Sequence, residues 1–193
     1  LHLHQSLISK KNRKNVFFSK KNTLSNLMKN YIAGLQEYTP KLMPIHAPNI
    51  NSYRRLFATW DAPKNTYWGI GNRSCGFRIP SNEEHSMRVE NRISGSDTNP
   101  YLVIAANLAA GYLGVKNKLK PTTETKKSVF GQKKSSLPKN MEQAISLFEK
   151  DEQINEVFNQ KFVRTLAAIR KVENQAYLKV ISSWEREFLL LNV

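Results

Sequence analysis

The stretch "RVENR", residues 88–92, sets three charged side chains two positions apart and separates them with one valine and one asparagine. In a β-strand successive side chains point to opposite faces of the sheet, so Arg88, Glu90 and Arg92 share one face. Such a face is either a solvent-exposed ladder of salt bridges or the wall of a charged site. The spacing alone leaves both interpretations open.

The first residues of the chain, "LHLHQS", repeat this pattern, because His2, His4 and Ser6 alternate with two apolar or amide side chains. A neutral imidazole and a carboxylate from neighbouring strands can bind a divalent cation. Guanidinium groups beside them can hold phosphate or carboxylate through paired hydrogen bonds. This combination suits phosphoryl transfer. Two histidines so spaced are also compatible with a plain polar surface.

Two further arginines, Arg73 and Arg78, lie in the glycine-containing stretch "NRSCGFRIP", residues 72–80. A charged side chain in apolar sequence is costly to bury unless an anionic group meets it. The alternative is that both side chains extend to a sheet edge and reach water. The residues by themselves indicate anion binding and no particular reaction.

The net charge of +15 is concentrated in two stretches, residues 10–21 and 116–139, which together carry +13 of it. Both contain turn-type residues and are expected to be solvated surface loops. No zinc-finger, RNP or helix-turn-helix pattern accompanies the charge, so we expect no specific nucleic-acid partner. The longest apolar run is too short for a membrane span, so no membrane partner is expected either. The lone Cys75 favours a reducing, cytoplasmic location.

The order of patterns along the chain predicts an α+β fold, with an antiparallel sheet backed by helices. An opening strand is expected to pair with "NVFF" as a hairpin, and a helix capped by Thr23 follows. Prolines then predict a loop before "NSYRRL", residues 51–56. Residues 66–80 and "SMRVENRIS" read as strands, and "NPYLVIAANLAAGYLGV" as a buried helix. A short helix and one long helix, from Phe162 to Trp184, complete the prediction.

Five stretches, "HLHQS", "NSYRRL", "NRSCGFRIP", "RVENR" and "NPYL", occur in the order and approximate spacing of motifs in the catalytic domain of the glutamine synthetase family. The resemblance runs from residue 1 to about 115. It implies that residues 1–193 are the C-terminal part of such a catalytic domain, truncated on its N-terminal side. Residues 1–115 would carry the site, 116–139 a basic loop and 140–193 the C-terminal helices. We expect the family's N-terminal β-grasp domain to be absent from this chain.

The resemblance also implies a role for each matching position. The expected metal ligands for Mg²⁺ or Mn²⁺ are His2 and Glu90; the expected ATP contacts are His4, Ser6, Arg78 and Arg88; the expected glutamate contacts are Arg55 and Arg92; the expected catalytic residues are Arg73 and Asp61. The implied chemistry has two steps. ATP phosphorylates the side-chain carboxylate of glutamate, and an amine then displaces phosphate from the γ-glutamyl phosphate.

Two positions depart from the family pattern. Asp61 stands where the family usually has a longer glutamate, and His85 stands where a lysine is associated with ATP. The segments "WGIGNRS" and "WEREFLLLNV" resemble the γ-glutamylpolyamine synthetase branch, so a polyamine or similar amine is the expected acceptor. Ammonia and a noncatalytic relative remain alternatives. We expect a homo-oligomer for the full-length protein and no activity for this fragment alone.

Overall fold

Six short strands and the helices that pack on them make up the described part of the chain. A computed structural model describes residues 1–19, 23–58, 62–80, 83–131 and 136–192, and the predicted catalytic residue Asp61 lies outside these ranges. The strands are β1 (Leu3–Gln5), β2 (Phe18–Ser19), β3 (Thr23–Leu24), β4 (Trp68–Ile70), β5 (Phe77–Ile79) and β6 (Val89–Asn91). The helices are α1 (Asn26–Tyr38), α2 (Met43–His46), α3 (Ile50–Ala58), α4 (Pro100–Lys116), α5 (Met141–Lys150), α6 (Glu152–Phe158), α7 (Gln160–Leu178) and α8 (Ser183–Leu189), with 3₁₀ turns at Thr39–Leu42 and Leu190–Asn192.

The main sheet has the strand order β1-β6-β5-β4. The β1–β6 and β5–β6 pairs are antiparallel, as predicted. The β4–β5 pair is parallel, which corrects the prediction of a purely antiparallel sheet. The link between the two strands turns at Gly71, whose φ of 67° favours glycine, and it returns so that Phe77 lies beside Trp68. The α+β fold class is confirmed.

The predicted hairpin between the first strand and "NVFF" forms at its closed end and does not extend along β1. Ile8 and Asn15 make an antiparallel bridge, the N–H of Val16 donates to the Leu7 carbonyl oxygen at 2.9 Å, and Phe18 then pairs with Leu24. The side-chain amide of Asn15 donates to the carbonyl oxygen of Met87 at 2.7 Å and so ties this turn to the segment before β6. β1 is the end strand of the main sheet, and Phe18 belongs to the separate two-stranded β2–β3 sheet.

The cap of helix α1 lies two residues after the predicted one. Thr23 belongs to β3, and the hydroxyl of Ser25 accepts the hydrogen bond from the backbone N–H of Met28 at 3.1 Å. The helix then packs closely on α4, where a Cβ atom at Gly34 would overlap the carbonyl oxygen of Ala110. Glycine is therefore required at this crossing, and the paired helices form one wall of the core.

The predicted loop at residues 40–48 contains two short helical segments. Pro40 and Pro44 occupy first-turn positions, where a missing N–H leaves no helical hydrogen bond unmade. "NSYRRL" lies in helix α3. Helix α4 is capped by Asn99, whose side chain accepts from two backbone N–H groups in the first turn.

Two helical predictions need correction, one about the burial of α4 and one about the length of α7. Helix α4 is not buried all round, since it exposes the stripe Tyr101, Ile104, Leu108 and Tyr112. The predicted helix to Trp184 ends at Leu178, and a capping box built by Ser182 and Glu185 starts α8. That new cap supplies partners for the first N–H groups of α8, so two separate helices replace one. Across the described ranges, no helix is both long and apolar enough to cross a membrane.

Candidate functional site

Glu90 is the centre of a charged cluster in the middle of β6. Its side chain is 3% exposed. One carboxylate oxygen, Oε1, lies 3.0 Å from His2 Nδ1, 3.8 Å from His4 Nε2 and 3.0 Å from Arg92 Nη1. The other, Oε2, lies 3.1 Å from Arg78 Nη1. The predicted proximity of Glu90 and His2 is observed, and Glu90 does not point into solvent.

Strand pairing brings these side chains together. His4 on β1 and Arg78 on β5 are both the direct Cα partners of Glu90 on β6. Their side chains therefore share one face of three adjacent strands. On the opposite face, the Nδ2 group of Asn91 donates to Oδ1 of Asn107 at 2.8 Å, which anchors β6 to helix α4.

The cluster keeps Glu90 ionised although it is buried. Burial raises the pKa of the Glu90 carboxyl, but the hydrogen bond from Arg78 and the charge of Arg92 outweigh burial, and the net pKa is lowered. His2 shifts toward its neutral form. Burial and the charge of Arg92 lower the pKa of His2, and the nearby carboxylate opposes them only in part.

A neutral imidazole and a carboxylate are a suitable donor pair for a divalent cation. An octahedral ion with bonds of ~2.1 Å separates adjacent ligands by about 3 Å. The 3.0 Å between His2 Nδ1 and Glu90 Oε1 fits that requirement. Within the described ranges, however, no group of three or more His, Cys, Asp or Glu side chains could hold a metal ion. His2 and Glu90 thus fit a metal as two of its ligands and do not complete a site.

The arginines retain capacity for an anionic ligand. The Nε atoms of Arg78 and Arg92 are buried, and neither has a hydrogen-bond partner among the described residues. Buried N–H groups without partners are rare in folded proteins, because each costs about 1–3 kcal/mol. Two donors of this kind on one face are consistent with a phosphate or carboxylate that accepts from them.

Arg88 and His4 form a second contact on the same face. The Nε group of Arg88 donates to His4 Nδ1 at 3.2 Å, and its Nη1 group donates to the Ser86 carbonyl oxygen at 2.7 Å. The first bond requires His4 Nδ1 to be an acceptor, so the ring proton of a neutral His4 is on Nε2, which faces Glu90. Arg88 therefore lies at the edge of the cluster and does not contact Glu90 directly.

Arg55 approaches from helix α3. Its Nη2 group donates to the carbonyl oxygen of Ile93 at 2.9 Å, one residue beyond Arg92. The two arginines predicted to hold glutamate are thus fixed by the same segment of chain. One comes from the strand side and the other from the helix.

Other predicted site residues lie away from these contacts. Arg73 is exposed in the β4–β5 link, and in the described chain it makes no hydrogen bond or ion pair with the cluster. Ser6 is exposed just after β1. His85 is exposed in the turn before β6. Asp61 lies outside the described residues.

Sequence reasoning missed the polar contacts that support the site from behind. Asn91 and Asn107 bond to each other while both are buried. His46 and Ser94 do the same, with 2.9 Å between Nδ1 and Oγ. The available signal was a polar residue inside an apolar run, as with Asn107, but no periodicity identifies its partner.

The sequence is similar to proteins of one family. Residues 1–189 match the family model described as glutamine synthetase, catalytic domain. The chain is 34% identical over 195 residues to type-1 glutamine synthetase 2 of Dictyostelium discoideum, covering 96% of this chain and 37% of that protein. It is 35% identical to glutamate–isopropylamine ligase of a Pseudomonas species, covering 84% and 36%. It is 31% identical to γ-glutamylputrescine synthetase of Escherichia coli, covering 100% and 40%.

Solved structures show the same fold. The structure of GmaS without ligand matches with a TM-score of 0.85 at 27% identity, covering 98% of this chain and 44% of that one. The complex of GmaS with ADP matches with a TM-score of 0.86, also at 27% identity, covering 98% and 45%. The chain therefore spans less than half the length of these relatives. Because the family model covers nearly every residue, the chain belongs to the glutamine synthetase family.

Proposed function

We propose that the protein containing this chain is an ATP-dependent glutamate–amine ligase, which forms a γ-glutamyl amide through γ-glutamyl phosphate. The observation that carries the proposal is the cluster around Glu90, where one buried carboxylate meets two arginines and two histidines. The relatives named as glutamine synthetase, glutamate–isopropylamine ligase and γ-glutamylputrescine synthetase support the reaction class.

Each side chain of the cluster has a proposed task. His2 and Glu90 would hold a divalent cation, Mg²⁺ or Mn²⁺, which when bound neutralises charge on the transferred phosphoryl group. Arg78 would bind the phosphates of ATP through donors that include its buried Nε group. The proposed ATP contacts are completed by His4, Ser6 and Arg88.

The glutamate end is assigned to Arg55 and Arg92. Both guanidinium groups are anchored beside the segment that follows β6, and Arg92 keeps a buried Nε donor without a partner among the described residues. They would hold and orient the carboxylates of glutamate by hydrogen bonds. Arg73 lies in the exposed β4–β5 link, and we propose that it contacts the phosphoryl group when substrate is bound. Asp61 is proposed to bind the amine.

We infer that the acceptor is a polyamine or similar amine. Two of the relatives have an alkylamine or diamine in their names. Ammonia is the second candidate, because relatives at 34% and 31% identity are named glutamine synthetases. The two candidates differ in the space that they need beside the γ-carboxylate of glutamate. A polyamine requires room for an alkyl chain, whereas ammonium is about the size of a water molecule.

The test is phosphate release by the full-length protein with ATP, Mg²⁺ and glutamate. Ammonium, isopropylamine, putrescine and spermidine are added singly, and a reaction without glutamate is the control. The proposal predicts glutamate-dependent phosphate release that one of the amines accelerates. Acceleration by ammonium alone would contradict the amine inference. Absence of nucleotide binding at millimolar Mg²⁺ would favour the noncatalytic alternative.

We further propose that the 193 residues are a C-terminal part of the catalytic domain, with the divisions 1–115, 116–139 and 140–193. The coverage of the relatives supports this proposal, because the chain spans 37% of the Dictyostelium discoideum protein and 40% of the Escherichia coli protein. We propose that the full-length protein is a homo-oligomer. The isolated chain should therefore release no phosphate under conditions in which the full-length protein does. Turnover by the isolated chain would refute this proposal, and sedimentation of the full-length protein tests the oligomer.

A further inference from the structure

His46 is a fully buried polar side chain at the C-terminal end of α2. Its Nδ1 atom lies 2.9 Å from Ser94 Oγ, and its Nε2 atom is buried without a hydrogen-bond partner among the described residues. Burial lowers the pKa of His46 to about 4, so the ring is neutral at physiological pH. A leucine would avoid the cost of an unsatisfied ring nitrogen. The polar partner that the structure gives this ring is the hydroxyl of Ser94.

The contact fixes a segment that the proposed site depends on. The backbone N–H of Gly95 donates to the His46 carbonyl oxygen at 3.0 Å, so His46 holds residues 94 and 95 through both its side chain and its backbone. One residue earlier, the Ile93 carbonyl oxygen accepts from Arg55 Nη2. One residue earlier again is Arg92, bound to Glu90.

The segment from Arg92 to Gly95 has no regular secondary structure, so local contacts must define its path. At its start, the backbone N–H of Arg92 donates to the Gly76 carbonyl oxygen at 2.9 Å, outside the strand ladder. At its end, Ile93 is held by its buried side chain and by its own N–H, which donates to Asn91 Oδ1 at 2.9 Å. Beyond Ile93, residues 94 and 95 are held by side-chain contacts that include the His46–Ser94 pair and the bond from Thr98 Oγ1 to the Gly95 carbonyl oxygen at 2.9 Å.

We propose that His46 is a positioning residue for glutamate binding, which it supports by holding Ser94 and thereby the carbonyl that orients Arg55. This inference rests on the proposed function, in which Arg55 and Arg92 bind glutamate. His46 touches no substrate in this scheme. A small displacement of a substrate-binding guanidinium weakens binding of its carboxylate and leaves the ATP end of the site unchanged.

The test uses His46→Leu, His46→Asn and Thr39→Val in the full-length protein. His46→Leu removes the bond to Ser94 and also the buried unpaired nitrogen. We expect the KM for glutamate to rise about tenfold, the KM for ATP to stay within about twofold, and the melting temperature to be unchanged or higher. His46→Asn keeps a polar atom near the Nδ1 position and should retain the wild-type KM values.

Thr39→Val is the matched control. Thr39 is also fully buried, and its hydroxyl has no hydrogen-bond partner among the described residues. The substitution removes an unsatisfied polar atom without touching the Ser94 contact, so it should change stability alone. If His46→Leu does not fold, Ser94→Ala breaks the same contact from the other side and should give the same rise in the KM for glutamate.

Two results would overturn the inference. One is an unchanged KM for glutamate in His46→Leu and Ser94→Ala, and the other is an equal rise in the KM values for glutamate and ATP. A wild-type protein without glutamate-dependent turnover would instead refute the proposed function. In that case hydrogen exchange at the amides of residues 94 and 95 decides about His46. Faster exchange in His46→Leu and Ser94→Ala, with wild-type exchange in Thr39→Val, supports the positioning role, and wild-type exchange in all three variants excludes it.

Discussion

At the scale of single residues, Glu90 owes its ionised state to the arginines that replace water around it. A buried carboxylate is normally destabilised by loss of hydration. Here hydrogen bonds from Arg78 and Arg92 replace the lost hydration of the carboxylate. They use the Nη1 groups, so the Nε group of each arginine is not involved. The same arrangement that keeps Glu90 charged therefore leaves the buried Nε groups of both arginines without a hydrogen-bond partner among the described residues.

Glu90→Gln should destabilise the fold strongly. The substitution keeps the shape of the side chain but leaves the partly buried charges of Arg78 and Arg92 without this counterion. Loss of one partner from a fully buried pair typically costs ~3–5 kcal/mol, so we expect a loss of ~2–3 kcal/mol for these partly exposed arginines. Urea unfolding of wild type and variant measures the difference. Glu37→Gln is the control, because Glu37 is 54% exposed. Its partner Lys41 would still have a counterion, the carboxylate of Asp151 at 3.0 Å. An equal loss in both variants would contradict the buried role of Glu90.

His46 predicts a pH dependence of stability. Its pKa falls from an ordinary 6.5 to about 4 in the folded state, so the unfolded state binds the proton more readily between these values. The free energy of unfolding should thus decline as pH falls from 6.5 to 4, by up to about 3 kcal/mol from this group. Urea unfolding at several pH values measures it. His46→Asn should flatten the curve in this window, and an unchanged slope would show that His46 does not cause it.

At the scale of elements, the close crossing of α1 and α4 positions the sheet. Gly34 and Gly114 let the two backbones meet, and Asn107 of α4 reaches Asn91 on the rear face of β6. From the same helix pair, the hydroxyl of Tyr31 in α1 donates to Gln5 Oε1 of β1 at 3.1 Å. The two strands that bear His4 and Glu90 are thus held from behind by the two helices.

Gly34→Ala should separate these helices. In an exposed helix this change would be stabilising by about 1 kcal/mol, because alanine has the higher helix propensity. At Gly34 the added methyl group meets backbone atoms of Ala110 and Gly114, which cannot rotate away. We expect a net loss of ~1–3 kcal/mol in urea unfolding. In Gly111→Ala the added methyl group clashes with the side-chain ring of Tyr31 instead. A second substitution, Tyr31→Leu, should therefore reduce the stability loss of Gly111→Ala but not that of Gly34→Ala. Relief of both variants would contradict a backbone clash.

At the scale of the whole molecule, the sequence predicted the strands and helices near the site better than their partners. Alternation correctly placed Arg88, Glu90 and Arg92 on one face, since period two is a property of a single strand. The parallel β4–β5 pair could not be read this way, because pairing depends on the path of the Gly71 turn. The exposed stripe on α4 was missed for a related reason. Composition reports that a helix is apolar, but exposure depends on what lies beside it.

The uneven charge of the molecule predicts that salt stabilises it. Most of the +15 lies in two lysine-rich stretches, where like charges repel one another in the folded state. Raising NaCl from about 0.05 to 0.5 M screens this repulsion and should raise the melting temperature by a few degrees. Replacing the exposed residues Lys10, Lys11, Lys126 and Lys127 with glutamate lowers the net charge by eight units, to +7, and should reduce that salt effect. Replacing the same four with arginine keeps the charge and should keep the wild-type salt response. Identical salt responses in the glutamate and arginine variants would show that repulsion among these four lysines does not cause the salt effect.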